Sequence, residues 1–108
     1  MRLVYANMMF SRKLKSQILS GKKTGTVRNK ADSDYHSGQE LDALLDEDGS
    51  KICRIRIISI EPVQYSELKR HHAKAEYLPF VFMLKWIVRR IYPGENELFF
   101  IRFKVLAD

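Results

Sequence analysis

The segment from Gly21 to Arg28 brings together residue types that could do chemistry. Its order, Gly-Lys-Lys-Thr-Gly-Thr-Val-Arg, places two hydroxyl groups close in sequence to amine and guanidinium groups, which suits either catalysis or anion binding. A phosphate-binding loop is excluded, because the segment lacks the first glycine and the Lys-Ser/Thr pair that opens a helix in that motif. The residues alone leave a second interpretation open, a basic edge strand whose lysines only prevent aggregation.

Other polar residues give weaker signals. Tyr35 and His36 lie in a polar stretch, 29–38, where an aromatic ring could stack on a pyrimidine, although an exposed loop tyrosine needs no such role. His71 and His72 are adjacent, and adjacent helical residues do not share a face. No Cys or His lies nearby at the spacing that metal ligands require, so we expect no metal and no cofactor.

Apolar spacing and turn residues predict the elements that must position these side chains. An amphipathic helix is predicted after Ser11, ending at Gly21, and two further helices from Ser66 to about Ala75 and from Pro79 to Ile91. Six residues of the last helix are expected to be buried: Phe80, Met83, Leu84, Ile87, Val88 and Ile91. Strands are predicted at 22–28, 39–45, 51–60 and 98–106. The third reverses its apolar phase after Ile57, which indicates a bulge or a strand covered on both faces.

This order of elements predicts an α+β fold with a small curved sheet or barrel. A chain of 108 residues has room for one domain, 1–108. Its single cysteine, Cys53, excludes an internal disulfide and is typical of a reducing compartment. No apolar run approaches the roughly 20 residues of a membrane span. We therefore expect a cytoplasmic protein without a membrane partner.

The charge of this basic chain is segregated along its length. The net charge is +6, distributed as +8 over residues 1–30, −7 over 31–50 and +5 over the remainder. A basic segment of this kind favours an anionic partner such as nucleic acid or a nucleotide through its long-range field. Because a solvated lysine-rich face has the same pattern, charge alone leaves RNA binding open.

Several motifs together resemble a known family. Gly21–Arg28 is similar to the signature of ASCH domains, small PUA-like β-barrels associated with RNA, in which Gly-x-Lys leads into a strand that ends in arginine. The further order of Gly38 before a strand, His72-Ala73-x-x-Glu76, Ile91-Tyr92-Pro93-Gly94 and a final Phe-x-x-x-Phe-Lys strand resembles the bacterial N4-acetylcytidine amidohydrolases. The resemblance covers nearly the whole chain and implies a PUA-like ASCH barrel flanked by helices.

The resemblance also implies an activity and its residues. Members of the family remove the acetyl group from N4-acetylcytidine, giving cytidine and acetate. By motif, the nucleophile falls on Thr26, the proton acceptor on Lys23 and the proton donor on Glu76. Arg28 and Thr24 are the candidates for substrate binding. An RNA-binding ASCH module without catalysis, or a ribonuclease of the same superfamily, remains an alternative, and the oligomeric state stays open.

The implied roles place demands on the structure. A lysine acts as a base only when burial or neighbouring positive charge lowers its pKa from about 10.4, and a carboxyl acts as an acid only when an apolar pocket or a donated proton keeps it neutral. Arg28 and Lys22 are candidates for that charge, and Tyr77 and Leu78 for apolar walls.

The spacing of the lysine and the threonine presents a geometric difficulty. Lys23 and Thr26 are three residues apart, so a regular strand would put them on opposite faces. An irregular turn or bulge over 22–25 would bring them together and leave Arg28 on the face of Thr26. Gly25 also fits a close crossing of another strand.

Overall fold

A computed structural model describes residues 7–106 of the chain, which form five strands and three α-helices. The predicted domain range, 1–108, extends on both sides into residues that lie outside the described part. The strands are β1 (Asn7–Phe10), β2 (Gly25–Asn29), β3 (Glu40–Leu45), β4 (Lys51–Gln64) and β5 (Glu97–Leu106). The helices are α1 (Lys15–Leu19), α2 (Arg70–Ala75) and α3 (Val81–Ile91). Short 3-10 turns, Arg12–Leu14 and Tyr65–Glu67, precede α1 and α2.

The strands form one mixed sheet in the order β1-β3-β4-β5-β2, with β1 parallel to β3 and the other pairs antiparallel. The predicted α+β class is confirmed. The predicted barrel is wrong. Over the described residues the sheet is open, because the edge strands β1 and β2 do not pair with each other. The outer edge of β2 is occupied instead by a side chain from the end of α2, since the Val27 N–H donates to Glu76. Arg28 links the two edge strands through a hydrogen bond from Nη2 to the Met9 carbonyl at 2.6 Å.

A hydrophobic cluster covers each face of the sheet. Thr26 lies opposite Ile101 and Val27 opposite Phe100, so consecutive residues of β2 and β5 face different clusters. The first cluster contains Met8, Phe10, Ile18, Leu41, Ala43, Cys53, Ile55, Ile57, Ile101 and Phe103. The second cluster packs α2 and α3 onto the sheet and contains Val27, Val63, Leu68, Ala73, Ala75, Leu84, Val88, Tyr92, Leu98 and Phe100. The site residues therefore lie where an edge strand separates two cores.

The bulge predicted in the third strand is confirmed. The register of β4 against β5 shifts between Ile57 and Ser59, leaving Ile58 as the extra residue. This shift keeps Ile60, opposite Ile101, packed against the first cluster. The strand also continues beyond its predicted end at residue 60, to Gln64.

Several boundaries differ from the prediction for local reasons. β1 was not predicted, and the strand predicted from residue 22 begins at Gly25, because the N–H groups of Lys22 and Lys23 both donate to the Gln17 carbonyl after α1. The helix predicted from Ser66 is interrupted at Leu68, whose backbone is extended, and α2 begins only after Lys69.

The last predicted helix is shorter than expected. α3 begins at Val81 rather than Pro79. Leu84 and Val88 are buried as expected, and Met83 and Ile87 are half-buried. Phe80 and Ile91, at the two ends of the apolar stripe, were expected to be buried but are 57% and 60% exposed. With 11 residues, α3 is the longest helix described, and no helix in residues 7–106 has the length and apolar character needed to cross a membrane.

Candidate active site

Lys23 is the buried cation of the candidate site. Only 2% of its surface is exposed. Its Nζ donates to the Gly25 carbonyl at 3.0 Å and to Glu76 Oε1 at 2.5 Å. A buried ammonium group needs such partners, because burying it without them would cost roughly several kcal/mol of desolvation free energy. The predicted base and the predicted acid are thus in direct contact.

Glu76 reaches Lys23 because of the way α2 ends. Glu76 is the C-cap residue that follows Ala75, and the next residue, Tyr77, takes a left-handed conformation with φ of 58°. The Tyr77 N–H donates to the Lys74 carbonyl and the Leu78 N–H to the Ala73 carbonyl, which is the Schellman arrangement that usually has glycine at this position. A tyrosine here is strained, and strained backbone of this kind tends to occur at functional sites.

Both oxygens of the Glu76 carboxylate are engaged at the edge of β2. Oε1 accepts from Lys23, and Oε2 accepts from the Val27 N–H at 3.0 Å. These contacts differ from the apolar walls expected from Tyr77 and Leu78, since Tyr77 is 48% exposed and Leu78 packs on the second cluster. An acid needs either an apolar pocket or a neighbouring group that donates a proton to it. The structure places such a neighbour, Lys23, beside Glu76 and does not form the apolar pocket.

Gly25 allows α2 to approach the strand this closely. A Cβ atom at this position would lie 2.9 Å from Phe100 Cε1, 3.1 Å from the Ile101 carbonyl oxygen and 3.2 Å from Ala75 Cβ. The adjacent Thr24 N–H donates to the Ala75 carbonyl at 2.7 Å, which fixes the end of α2 against the start of β2. Residues 22–24 are irregular, as expected, and Gly25 is a point of close approach to the end of α2 and to the paired strand β5 rather than to a crossing strand.

Thr26 is 7% exposed and points, with Ile101, toward the face of the first cluster. Its hydroxyl has no hydrogen-bond partner among residues 7–106. In the same range no fully buried side-chain oxygen or nitrogen lacks a partner, so the Thr26 hydroxyl must reach solvent. Glu76 binds the N–H of the residue that follows Thr26. The structure thus joins Lys23 to Glu76 directly and holds Thr26 beside them through the backbone of β2.

The two candidates for substrate binding lie in different surroundings. Arg28 shares the face of Thr26, and its guanidinium lies 5.2 Å from the Phe10 ring centroid while bonding to β1. Thr24 is exposed beside α2, and its carbonyl accepts from the Phe103 N–H at 3.0 Å. Arg28 is therefore placed beside the threonine face, whereas Thr24 has a structural role through its backbone.

His72 supports α2 from within the second face of the sheet. Its ring is buried, lies edge-on to Phe100 with centroids 4.7 Å apart, and accepts the Lys69 N–H at Nδ1. Burial, followed by the neighbouring charge of His71, lowers the pKa of His72 below its usual range, while Glu61 acts in the opposite direction. A neutral imidazole is the form that can accept this bond. His72 therefore helps to orient the helix that carries Glu76.

Sequence reasoning missed the backbone of Tyr77, since only its side chain was considered. No glycine or asparagine follows Glu76, so the sequence carries no local signal for a left-handed residue at this helix end. In residues 7–106, no group of three or more His, Cys, Asp and Glu side chains is placed to hold a metal ion.

Comparison with known proteins identifies relatives over nearly the whole chain. Residues 5–106 match the family model of the ASCH domain. A protein from Moritella marina named N(4)-acetylcytidine amidohydrolase is 57% identical over 104 residues, covering 96% of each chain. A protein of the same name from Vibrio vulnificus is 35% identical over 97 residues, covering 90% of this chain and 92% of the relative.

The fold is also similar to a solved structure. The crystal structure of an ASCH domain from Lactobacillus crispatus superimposes with a TM-score of 0.76 at 16% identity. The superposition covers 94% of this chain and 80% of the other. At this low identity the likeness shows the fold alone.

Proposed function

The chain belongs to the ASCH domain family, and on this premise we propose that it is an amidohydrolase that removes the acetyl group of N4-acetylcytidine. The products are cytidine and acetate. The names of the relatives support the substrate, and the buried contact between Lys23 Nζ and Glu76 Oε1, beside Thr26, supports the reaction type. Fold alone would not support an activity, because one fold serves many functions.

The proposed reaction begins with a proton transfer within the ion pair. Lys23 passes a proton to Glu76 across their 2.5 Å contact, which leaves a neutral amine and a neutral carboxylic acid. The amine takes the proton of the Thr26 hydroxyl as its oxygen attacks the amide carbon. Glu76 then protonates the exocyclic nitrogen, the C–N bond breaks, and cytidine leaves. Thr26 carries an acetyl ester, Lys23 is again an ammonium, and Glu76 is again a carboxylate.

Water completes the cycle with the same two groups in exchanged roles. Glu76 takes a proton from the water that attacks the ester carbon. The ester C–O bond breaks, and Lys23 returns a proton to the Thr26 oxygen. Acetic acid leaves and loses its proton to solvent. The enzyme is back in the form with neutral amine and neutral acid, so protons and electrons balance over the two steps.

The test is direct incubation of the purified chain with N4-acetylcytidine, with released cytidine measured by chromatography. We expect turnover that persists in EDTA, because the threonine, lysine and glutamate supply every proton transfer in the proposal. Lys23→Arg should lose nearly all turnover although the positive charge is kept, since a guanidinium stays protonated at any working pH. Retained hydrolysis in Lys23→Arg would contradict the base role, and loss of activity with EDTA that zinc restores would contradict the metal-independent reaction.

RNA binding without catalysis is the second candidate, and a specific surface favours it. Helices α2 and α3 and their flanks, residues 68–94, contain six Lys and Arg residues and one acid, Glu76, which is paired with Lys23. Phe82 and Trp86 are 69% and 62% exposed on the same segment. Exposed aromatic rings among cations suit stacking on single-stranded nucleic acid.

A labelled single-stranded RNA, assayed in parallel for binding and cleavage, separates the candidates. Under the enzyme proposal, RNA binding is salt-sensitive and survives Lys23→Arg, and no cleavage occurs. Binding with no deacetylation by the parent chain would favour the binding module, and cleavage would favour a ribonuclease. The proposal further places the protein in the cytoplasm, as a single domain acting on a nucleoside substrate.

A further inference from the structure

A cavity that lies outside the Lys23–Glu76 contact opens at the end of β2. Its volume is about 650 Å³, within the range of small-molecule sites. Two of its lining residues, Ile60 and Phe99, belong to β4 and β5. The others belong to the loop after β2: Lys30, Ala31, Ser33, Asp34, Tyr35, His36 and Ser37. This loop is the polar stretch that the sequence had marked for a possible aromatic contact.

Strand register places this cavity beside Thr26. Phe99 lies directly opposite Arg28, and Ile101 opposite Thr26, so all four residues share one face of the sheet. Ile60 lies opposite Ile101 on that same face. Phe99 is therefore one of the two diagonal cross-strand neighbours of Thr26 on β5, a relation in which backbone positions are about 7–8 Å apart and aromatic side chains still reach.

The loop that forms the other wall is tied to the sheet at several points. The Tyr35 hydroxyl donates to the Asn7 carbonyl at 2.9 Å, and the Ser37 hydroxyl donates to the Ile58 carbonyl at 2.7 Å. The Gly38 N–H donates to the Ile57 carbonyl at 2.7 Å. At the other end of the loop, the Tyr92 hydroxyl donates to Asp32 Oδ2 at 2.9 Å. A wall held by these bonds is largely formed before any ligand arrives.

We infer that this cavity binds the pyrimidine ring and ribose of the nucleoside, and that Phe99 is a specificity-determining residue that contacts the ring. The inference rests on the proposed function and extends it to the part of the substrate that does not react. In N4-acetylcytidine the amide nitrogen is attached directly to the ring, so the ring must lie within a few bonds of the Thr26 oxygen. Of the two aromatic residues of β5 diagonal to Thr26, Phe99 and Phe103, the second is buried in the first cluster and only Phe99 lines the cavity. Tyr35 on the loop supplies the second ring of the cavity.

The polar groups of the cavity suit the remainder of the nucleoside. Ser33, Asp34 and Ser37 lie along the loop side. The Ser33 and Ser37 hydroxyls already donate to the Lys30 and Ile58 carbonyls, so their oxygens, like the Asp34 carboxylate, can accept hydrogen bonds from ribose hydroxyls. The apolar side is formed by Ile60 and Phe99. This division between an apolar wall and a polar wall matches a ligand with a flat ring on one side and a sugar on the other.

The experiment compares Phe99→Leu with a control truncation of an apolar side chain away from the cavity, Leu19→Ala on α1, where the leucine is 48% exposed. Loss of one base-stacking ring is expected to raise KM for N4-acetylcytidine roughly 5- to 100-fold in Phe99→Leu, with kcat within about threefold of the parent. The control should leave both constants unchanged. Equal KM values in the two variants, with Phe99→Leu shown to be folded by circular dichroism, would overturn the inference.

A second measurement does not depend on turnover. Cytidine is titrated into the full chain, and amide shifts are followed by NMR. We expect changes at residues 30–37 and 99 and none on the exposed face of α3. Shifts confined to other regions, or no shifts at millimolar cytidine, would overturn the cavity assignment. Absence of deacetylation with cytidine bound in the cavity would contradict the proposed function instead, so the two failures are distinguishable.

Discussion

The chain pairs carboxylates with cations in two contrasting regions. At the edge of β2, the side chains of Lys23 and Glu76 are 1% and 15% exposed. On the β3–β4 hairpin, Arg54 pairs with Asp42 at 3.0 Å and Arg56 with Glu40 at 2.8 Å, and all four side chains are 37–45% exposed. Within residues 7–106, opposite charges thus form a buried pair at the β2 edge and a solvated ladder on the hairpin.

Burial decides what each region can do. In the hairpin, hydrogen bonding from Arg56, followed by its charge, lowers the pKa of the Glu40 carboxyl, yet water can replace Arg56 at little cost. At the β2 edge, each partner loses its only charged contact among the described residues when the other is removed. The comparison therefore predicts large effects at the site and small ones on the hairpin.

The largest expected effect comes from Glu76→Ala. Removing the carboxylate leaves the Lys23 ammonium buried with only the Gly25 carbonyl and leaves the Val27 N–H without its acceptor. Breaking a buried pair in this way costs about 3 to 5 kcal/mol of the free energy of unfolding, and turnover should be lost as well. Urea denaturation beside the chromatographic assay measures both quantities.

A double variant separates the structural from the chemical loss. Lys23→Met combined with Glu76→Leu removes both charges and fills similar volume, so much of the unfolding free energy should return. Hydrolysis should stay absent, because neither proton-transfer group remains. A stable double variant that still deacetylates the substrate would refute both assigned roles.

The next effect is on chemistry alone, at Thr26. A nucleophilic threonine should retain some activity as Thr26→Ser and almost none as Thr26→Ala. A group that merely donates a hydrogen bond to the substrate would cost on the order of 1 to 3 kcal/mol, a ten- to hundredfold loss in kcat/KM. Mass spectrometry with a slowly hydrolysed acyl analogue should detect acylation at Thr26. A few per cent of residual activity in Thr26→Ala, with no acylated peptide, would assign the attack to an activated water.

The sequence predicted much of the architecture around the candidate site, but local pattern did not predict the contact between Lys23 and Glu76. Alternating apolar residues located β5 and the bulge near Ile58, since both depend on local pattern. β1 was missed because Asn-Met-Met-Phe is short, lacks apolar alternation, and pairs in parallel with the distant β3. Closure into a barrel was implied by the resemblance. The sheet is open instead, and at the edge of β2 the Val27 N–H bonds to Glu76 rather than to another strand.

The candidate site shows the limit of local pattern most clearly. Lys23 and Glu76 are separated by 53 positions, and neither periodicity nor charge spacing predicts their contact. Their association was implied only by the family resemblance, and their roles stay predictions. The irregular segment before Gly25 was expected from spacing, because a regular strand would have put Lys23 and Thr26 on opposite faces.

A smaller effect is expected at His72, which is buried but neutral. Its pKa is lower in the folded chain than its ordinary value of 6.5, so protonation favours unfolding. The stability that it contributes is complete above about pH 6.5 and declines as the pH falls toward the lowered pKa. His72→Gln keeps an acceptor for the Lys69 N–H and should lose less stability than the parent between pH 7.5 and 5. The free energy of unfolding is measured by urea denaturation at both pH values. If the parent and His72→Gln lose the same amount between them, the prediction is contradicted.

The smallest effect is expected for the Arg54–Asp42 pair on the hairpin. Arg54→Ala should change the free energy of unfolding by less than about 1 kcal/mol, because both side chains remain accessible to water and Lys51 lies 3.7 Å from the same carboxylate. A double-mutant cycle with Asp42→Ala should give a coupling of a few tenths of a kcal/mol that shrinks in 1 M salt, where the screening length is about 3 Å. A second double-mutant cycle measures the coupling between Lys23 and Glu76. Equal coupling energies in the two cycles would show that burial does not distinguish the two regions.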